Sequence, residues 1–240
     1  MRERVVIIPT YNEIENIEDI LRAVMGLEVP FHAMVVDDGS PDGTGDKVRE
    51  LQEVFPERII LVERQEKSGL GTAYIYGFKK ALELGYDYIF EMDADFSHNP
   101  DDLIKLYDAC ESGKADIAVG SRYVKGITVV NWPLSRILLS YGASRYVRFI
   151  TGMKVKDSTA GFICYKRDVL EAINLSKVRF VGYAFQIEMK FKAFKKGFKI
   201  IEIPVIFKDR VKGKSKMSGS IISEAIFGVI SLKLKSLFSR

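Results

Sequence analysis

Two carboxylates, Asp93 and Asp95, flank a single alanine directly after an apolar run at residues 86–92. That run predicts a buried strand, and in an extended chain residues i and i+2 point to the same side. Mg²⁺ and Mn²⁺ prefer such hard oxygen ligands and take one or two carboxylates together with substrate phosphates. Two solvated loop acids, or caps for the turn before Pro100, would give the same pattern. The place of the motif at a strand end favours a metal site.

A second acidic pair, Asp37 and Asp38, ends another predicted strand at residues 32–37. Carboxylates at a strand end accept hydrogen bonds from a ribose or a base in nucleotide-binding sheets. The same residues begin a dense turn cluster, SPDG at 40–43, in which Asp-Gly is a turn former in its own right. Both interpretations can hold together, with Asp42 serving the turn and the acidic pair serving a ligand.

The glycines exclude two common kinds of nucleotide site. Gly69 and Gly71 are not followed by the Gly-Lys-Ser/Thr of a P-loop, and the first strand leads into no Gly-x-Gly-x-x-Gly loop. An ATPase or a dinucleotide enzyme of the usual type is therefore not expected. The pattern favours a nucleotide held by side chains and a metal ion.

These clusters require a sheet that brings strand ends together. Apolar runs at 5–9, 32–37, 58–63, 86–92 and 115–120 predict strands, and amphipathic stretches between them predict helices, the first capped by Asn12. Such alternation is typical of an α/β fold with a mostly parallel sheet, in which ligands bind beyond the carboxyl ends of the strands. Five polar clusters fall at those ends, at 11–13, 37–40, 64–71, 93–97 and 121–123.

The second half of the chain is less regular. We expect a strand at 159–165, a helix at 184–196, a strand at 198–208 and a last amphipathic helix at about 220–238. Without an internal repeat or a low-complexity linker, one catalytic domain at 1–218 is predicted, followed by a C-terminal amphipathic helix at 219–240. Stretch 132–150, with its lone Trp132, is a second candidate for an interfacial helix.

Composition limits the class of protein. With 47% hydrophobic and 28% charged residues in 240, the chain is a globular protein and not a disordered one. The net charge is only +4, but basic residues concentrate between 154 and 216. This pattern indicates an anionic partner, or else a solvated lysine-rich face, and no nucleic-acid-binding motif accompanies it.

Other features predict little chemistry. Cys110 and Cys164 have no metal-ligand spacing and are expected to be buried thiols of a cytosolic protein. His98, beside the acidic motif, is expected in an exposed loop. No apolar segment reaches the roughly 18 residues of a spanning helix.

Taken in order, the motifs resemble those of family 2 glycosyltransferases: PTYNE at 9–13, VDDGS at 36–40, KSGLGTA at 67–73, MDAD at 92–95 and GSRY at 120–123. SPDGT at 40–44, DADFSHNP at 93–100 and DRVKGKSK at 209–216 are similar to the polyprenyl- and dolichyl-phosphate mannose synthases of that family. The resemblance runs from about residue 4 to residue 225. It implies a GT-A fold and inverting transfer of mannose from GDP-mannose to a polyprenyl phosphate.

The resemblance also implies a role for particular residues. The nucleotide-sugar would be bound by Pro9, Tyr11, Glu13, Asp37, Asp38, Lys67, Gly71, Asp93 and Ala94. A Mg²⁺ or Mn²⁺ ion would be held by Asp93, Asp95 and Ser97, where some relatives have Gln in place of Ser97. Arg122, Arg136, Ser215 and Lys216 would bind the acceptor phosphate, and the catalytic group would comprise Asp95, Arg122 and Arg210.

A lipid acceptor implies a peripheral membrane protein that acts at the cytoplasmic face of a membrane. A small membrane-anchoring subunit is a further expected partner. Two alternatives stay open: a UDP-sugar enzyme of the same fold, such as a polyprenyl-phosphate glucose synthase, and a non-catalytic nucleotide-sugar-binding subunit. An acceptor phosphate is already anionic at neutral pH, so no general base is required of the two histidines.

Overall fold

The computed structural model describes residues 3–209 and 219–238, and it is an α/β fold built on one large sheet. Seven strands form that sheet in the order β3-β2-β1-β4-β7-β5-β8, and a two-stranded ribbon pairs β6 with β9. The strands are β1 Arg4–Thr10, β2 His32–Asp37, β3 Ile59–Glu63, β4 Tyr88–Glu91, β5 Ile117–Ser121, β6 Val129–Val130, β7 Ile163–Lys166, β8 Ile200–Pro204 and β9 Phe207–Lys208.

Helices cover both faces of the sheet. They are α1 Ile17–Met25, α2 Thr44–Val54, α3 Leu70–Glu83, α4 Asp102–Glu111, α5 Leu134–Thr151, α6 Arg167–Ala172, α7 Tyr183–Lys195 and α8 Gly219–Phe238, with a 3₁₀ turn at Leu175–Lys177. The predicted α/β fold with a mostly parallel sheet is confirmed, because only β7 runs antiparallel to its neighbours.

The strand order places a crevice where the predicted site residues lie. β1 pairs in parallel with β2 on one side and with β4 on the other, so the order in which strands are added to the sheet reverses at β1. In open parallel sheets this switch point opens a cleft beyond the carboxyl ends of the strands. The loops after β1, β2 and β4 therefore face one cleft.

Alternate residues of the same strand enter opposite layers of the core. Val6 and Ile8 of β1 pack in one cluster with α1, α2 and α4, and Val5 and Ile7 pack in the other with α3, α6 and α7. A strand buried on both faces needs apolar residues at every position, which explains its continuous apolar run.

Three predicted boundaries are wrong. The first helix begins at Ile17, and Asn16 precedes it; Asn12 instead adopts a left-handed φ of 57° in the loop. The predicted strand at 198–208 is divided, because β8 joins the large sheet whereas β9 pairs with β6. Residues 159–161 are not in a strand, and they line a cavity described below.

Helices α5 and α8 pack beside α7. Val147 of α5, Ile187 and Phe191 of α7 and Val229 of α8 share one buried cluster with Met153. Within the described residues, none of the helices combines the length and the apolar character needed to cross a bilayer. The proposed division of the chain at residue 218 stays a prediction.

Candidate active site

The acidic motif follows β4, as predicted, but its residues form a bend and not an extended segment. β4 ends at Glu91, and Phe96 takes a left-handed φ of 57°, which turns the chain back on itself. Asp93, Asp95 and Ser97 all line one cavity of about 490 Å³. The backbone N–H of Ser97 donates to Asp95 Oδ1 (3.0 Å), and Tyr74 Oη donates to Asp93 Oδ1 (3.4 Å).

The residues present suit a divalent cation. Asp93 and Asp95 offer two carboxylates to the cavity, and Ser97 Oγ is buried without a hydrogen-bond partner in the described residues. Within that same part of the chain, no cluster of three or more His, Cys, Asp or Glu side chains could hold a metal. A carboxylate pair completed by substrate phosphates is the arrangement that Mg²⁺ favours.

His98 is buried, which contradicts the exposed position expected for it. Its ring stacks on Phe162 with centroids 4.8 Å apart and meets Phe207 edge to face at 5.2 Å. Burial lowers the pKa of His98 to about 4, although the Asp95 charge acts in the opposite direction. The imidazole is therefore neutral at physiological pH, and it lines the cavity.

Arg122 is held by a buried carboxylate that the sequence analysis did not identify. Its Nε donates to Asp157 Oδ2 (2.7 Å) and its Nη2 donates to Asp157 Oδ1 (2.6 Å) and Thr159 Oγ1 (2.9 Å). Burial alone would raise the pKa of Asp157, but the charge and hydrogen bonds of Arg122 hold it below its ordinary value. The bidentate pair fixes the guanidinium at the cavity wall.

Arg136 reaches the same wall from α5. Its Nη1 donates to Asp209 Oδ1 (2.9 Å), and its guanidinium lies 3.9 Å from the centre of the Trp132 ring. Trp132 packs against Phe207 and lines the cavity, so it does not serve as the exposed interfacial residue that the sequence suggested. Arg210, Ser215 and Lys216 lie outside the described residues.

The predicted nucleotide residues lie in the loops at the carboxyl ends of β1, β2 and β3. Asp37 is buried and accepts hydrogen bonds from Thr10 Oγ1 (2.8 Å) and from the Ser40 hydroxyl and backbone N–H (2.6 and 2.9 Å). Asp38 is paired with Arg64 Nε (3.2 Å), and burial raises its pKa. Asp37 therefore supports the turn, whereas Asp38 is also buried and is paired with Arg64.

The remaining members of the set are near neighbours. Lys67 Nζ lies 4.5 Å above the ring of Tyr11, which joins the loops after β1 and β3. The loop carrying Glu13 is tied to the next one, because the Glu13 N–H donates to Thr44 Oγ1 (3.0 Å). Pro9 is at the end of β1, Ala94 is buried in the bend, and Gly71 begins α3.

Beneath the cavity lies a network of buried polar groups. Gln186 Nε2 donates to Glu91 Oε2, and Lys190 Nζ donates to the carbonyls of Ser158 (3.2 Å), Ala160 (2.6 Å) and Gln186 (3.2 Å). Burial raises the pKa of Glu91 to about 7 and lowers that of Lys190 to about 8. The only sequence signal was weak: Gln186 and Lys190 stand one turn apart in α7, a helix that also carries Glu188, Lys192 and Lys195.

The cavity has an apolar lining as well. It includes Leu138, Leu139, Ala143 and Val147 of α5 and Ile187 of α7. One cavity thus joins a carboxylate pair and two arginines to a hydrocarbon wall. This arrangement suits a ligand set that carries phosphates and an apolar chain.

Comparison with known proteins shows a family and its relatives. The profile of the family described as "Glycosyl transferase family 2" matches residues 5–173. The polyprenol monophosphomannose synthase of Mycolicibacterium smegmatis is 48% identical over 98% of this chain and 88% of its own. The undecaprenyl-phosphate mannosyltransferase of Micrococcus luteus is 44% identical over 93% of this chain and 90% of its own.

A solved structure shares the fold at low sequence identity. The glucosyl-3-phosphoglycerate synthase of Mycobacterium tuberculosis, determined with Mn²⁺ and UDP, superposes with a TM-score of 0.69 at 17% identity. The match covers 98% of this chain and 80% of that one.

Proposed function

The chain belongs to glycosyltransferase family 2, and from this premise we propose that it transfers mannose from GDP-mannose to the phosphate of a polyprenyl or dolichyl phosphate, with inversion. The observation that carries the proposal is the single cavity that joins Asp93, Asp95 and two arginines to an apolar wall. The names of two relatives at 48% and 44% identity, which state mannosyl transfer to a polyprenyl phosphate, support it.

On the donor side, Asp93, Asp95 and Ser97 would hold Mg²⁺ or Mn²⁺ against the diphosphate. When bound, such an ion acts as a Lewis acid and stabilises the charge of a departing diphosphate. The Mn²⁺ named for the structural neighbour supports a divalent cation without identifying which one. Pro9, Tyr11, Glu13, Asp37, Asp38, Lys67, Gly71 and Ala94 are assigned to the nucleotide.

On the acceptor side, Arg122 and Arg136 would bind the lipid phosphate. The guanidinium fork suits phosphate oxygens, and Asp157 keeps Arg122 in one orientation. Holding the acceptor phosphate in line with the anomeric carbon lowers the entropic part of the barrier. An oxygen of that phosphate is the nucleophile and already carries charge, so the neutral His98 is not needed as a base.

The lipid chain would leave along α5. Leu138 and Leu139 line the cavity and are also exposed at the surface, so an isoprenoid can contact them while its distal part lies in a bilayer. We propose that the enzyme works at a membrane surface, and the resemblance alone supports its cytoplasmic face. An anchoring subunit remains a proposal supported only by the resemblance.

The test is transfer of radiolabelled mannose from GDP-mannose to phytanyl or dolichyl phosphate. Wild type should form the lipid-linked sugar only with Mg²⁺ or Mn²⁺ present, and Asp95→Ala should lose at least about 100-fold in rate together with its metal dependence, since a metal supplies several kcal/mol. Asp101→Asn, which alters an exposed carboxylate nearby, is the matched control and should retain activity.

Three outcomes would overturn parts of the proposal. Full activity of Asp95→Ala would remove the metal assignment. Transfer from UDP-glucose but not from GDP-mannose, with tighter binding of UDP than GDP in isothermal titration, would favour the UDP-sugar alternative. Binding of nucleotide-sugar without any transfer would indicate a non-catalytic subunit.

A further inference from the structure

Four buried polar atoms of residues that line the cavity have no hydrogen-bond partners in the described part of the chain. They are Ser97 Oγ, His98 Nδ1, Trp132 Nε1 and Gln186 Oε1, and all four residues line the cavity. An unsatisfied buried polar atom costs on the order of 1–3 kcal/mol, so such atoms are few in folded proteins. Their concentration around one cavity indicates a polar ligand there.

The donor and acceptor character of these atoms identifies the chemistry of that ligand. Gln186 Oε1 can only accept a hydrogen bond, and Trp132 Nε1 can only donate one. Ionised phosphate has no proton to donate, so it cannot satisfy Gln186 Oε1. A hydroxyl group both donates and accepts, and a hexose carries several. With Ser97 Oγ assigned to the metal ion, the donor Trp132 Nε1 and the acceptor Gln186 Oε1 fit a sugar better than a diphosphate.

Glu91 determines which end of the Gln186 amide faces the cavity. The amide nitrogen and oxygen of a glutamine are interchangeable in shape, and only their partners distinguish them. The Gln186 Nε2 donates to Glu91 Oε2, so the amide nitrogen is turned toward Glu91. Oε1 is thereby left as the acceptor for a ligand.

The position of Gln186 is fixed by its helix as well. Gln186 is only 2% exposed. One turn further along α7, Lys190 Nζ donates to the Gln186 carbonyl and to those of Ser158 and Ala160, in the segment that lines the same cavity. A side chain held at both its amide and its backbone presents its free acceptor in one direction.

We propose that Gln186 determines specificity for the donor sugar: its Oε1 accepts a hydrogen bond from one hydroxyl of the hexose, and Glu91 is the positioning residue that orients the amide. The inference rests on the proposed function, because it assumes a nucleotide-sugar donor. It adds a residue outside all five loop clusters and assigns it to the sugar rather than to the nucleotide or the metal.

The experiment compares wild type and Gln186→Leu on GDP-mannose and on four analogues, each lacking one hydroxyl at C2, C3, C4 or C6. Wild type should lose at least about 10-fold in kcat/KM with one of the deoxy donors, as expected for a hydrogen bond to a buried group. Gln186→Leu should show a similar loss on GDP-mannose, but no further loss on that one analogue.

Matched variants separate this role from a structural one. Gln52→Leu, a half-buried glutamine of α2 that donates to the Ile59 carbonyl, should change kcat/KM equally little for all donors. The Glu91→Gln variant should distinguish GDP-mannose less well from the analogue that lacks this one hydroxyl. An amide at position 91 can donate as well as accept, so it no longer fixes the Gln186 orientation. If Gln186→Leu does not fold, judged by its Tm, Gln186→Asn replaces it with the same expectation.

The outcomes distinguish this inference from the proposed function. Equal losses of Gln186→Leu on every donor, in an enzyme whose wild type does transfer mannose, would overturn the sugar contact alone. No transfer from GDP-mannose by wild type would overturn the proposed function, and the inference with it.

Discussion

Glu91 and Lys190 are fully buried ionisable groups on either side of Gln186, and their burial has consequences for stability. A carboxyl group that is shielded from water is more stable in its neutral form. Burial is therefore the largest cause of the raised pKa of Glu91. The Gln186 hydrogen bond and the Lys190 charge act in the opposite direction and lower this pKa. Such groups cost stability, and sites tend to retain them for orientation rather than for stabilisation.

A pH dependence follows for Glu91. Its pKa in the folded state, about 7, lies above its ordinary value of 4.5. The folded state therefore binds more protons between these values, and the stability contributed by this group is present below pH 4.5 and lost as pH rises through 7. A shift of this size corresponds to about 3 kcal/mol.

Chemical denaturation of wild type and Glu91→Gln between pH 4.5 and 8 measures how the stability contributed by Glu91 depends on pH. The free energy of unfolding of wild type minus that of the variant should fall as pH rises. The exposed Glu83→Gln on α3 is the control and should show no such trend. A difference that rises with pH would mean that Glu91 is stabilised as an anion by Lys190, contrary to this expectation.

At the scale of elements, α3 approaches the segment before α7 at Gly71. The Gly71 N–H donates to the Val181 carbonyl (2.8 Å), and a Cβ on Gly71 would lie 2.7 Å from the Phe180 carbonyl oxygen and 2.9 Å from the Phe185 ring. The resemblance assigned Gly71 to the nucleotide, and the structure gives the same glycine a packing reason. Phe180 also contacts Gly228 of α8, so this segment touches two helices.

Gly71→Ala should therefore destabilise the fold. Alanine favours a helix over glycine by about 1 kcal/mol, but the close contacts with backbone and a buried ring should outweigh this and cost about 1–3 kcal/mol in total. The matched control is Gly142→Ala in α5, where a Cβ would meet no atom within 4 Å. Thermal unfolding should show a lower Tm for Gly71→Ala and an equal or higher one for Gly142→Ala; the reverse order would contradict the packing role.

At the scale of the whole molecule, one side carries exposed apolar residues beside basic ones. Leu134 and Phe149 of α5 are 70% and 87% exposed, and Phe227 of α8 is 73% exposed. Arg145 and Arg148 are exposed on α5 between and beside them. Apolar side chains flanked by arginines are typical of a surface that binds an anionic bilayer, and Leu138 and Leu139 of the same helix line the cavity.

Vesicle flotation tests whether this surface binds a lipid bilayer. Wild type should bind phosphatidylcholine vesicles containing phosphatidylglycerol more strongly than pure phosphatidylcholine, and Leu134→Ser with Phe149→Ser should reduce binding several-fold, since each removes apolar burial. Tyr76→Ser, a half-exposed aromatic on α3, is the control and should bind as wild type does. Removal of the whole of α8 is a poorer test, because Val229 is part of a buried cluster. Unchanged flotation of the double variant would exclude α5 as the membrane-binding element.

The sequence determined the alternation of strands and helices, the loops that carry the acidic pairs, and the family, because these depend on local periodicity and on short motifs. Only the tertiary structure decided what completes the Asp93 and Asp95 site. The Arg122–Asp157 and Glu91–Gln186 contacts join residues 35 and 95 positions apart. They exist because antiparallel β7 is inserted between β4 and β5 and α7 lies beneath it, and no local pattern encodes that pairing.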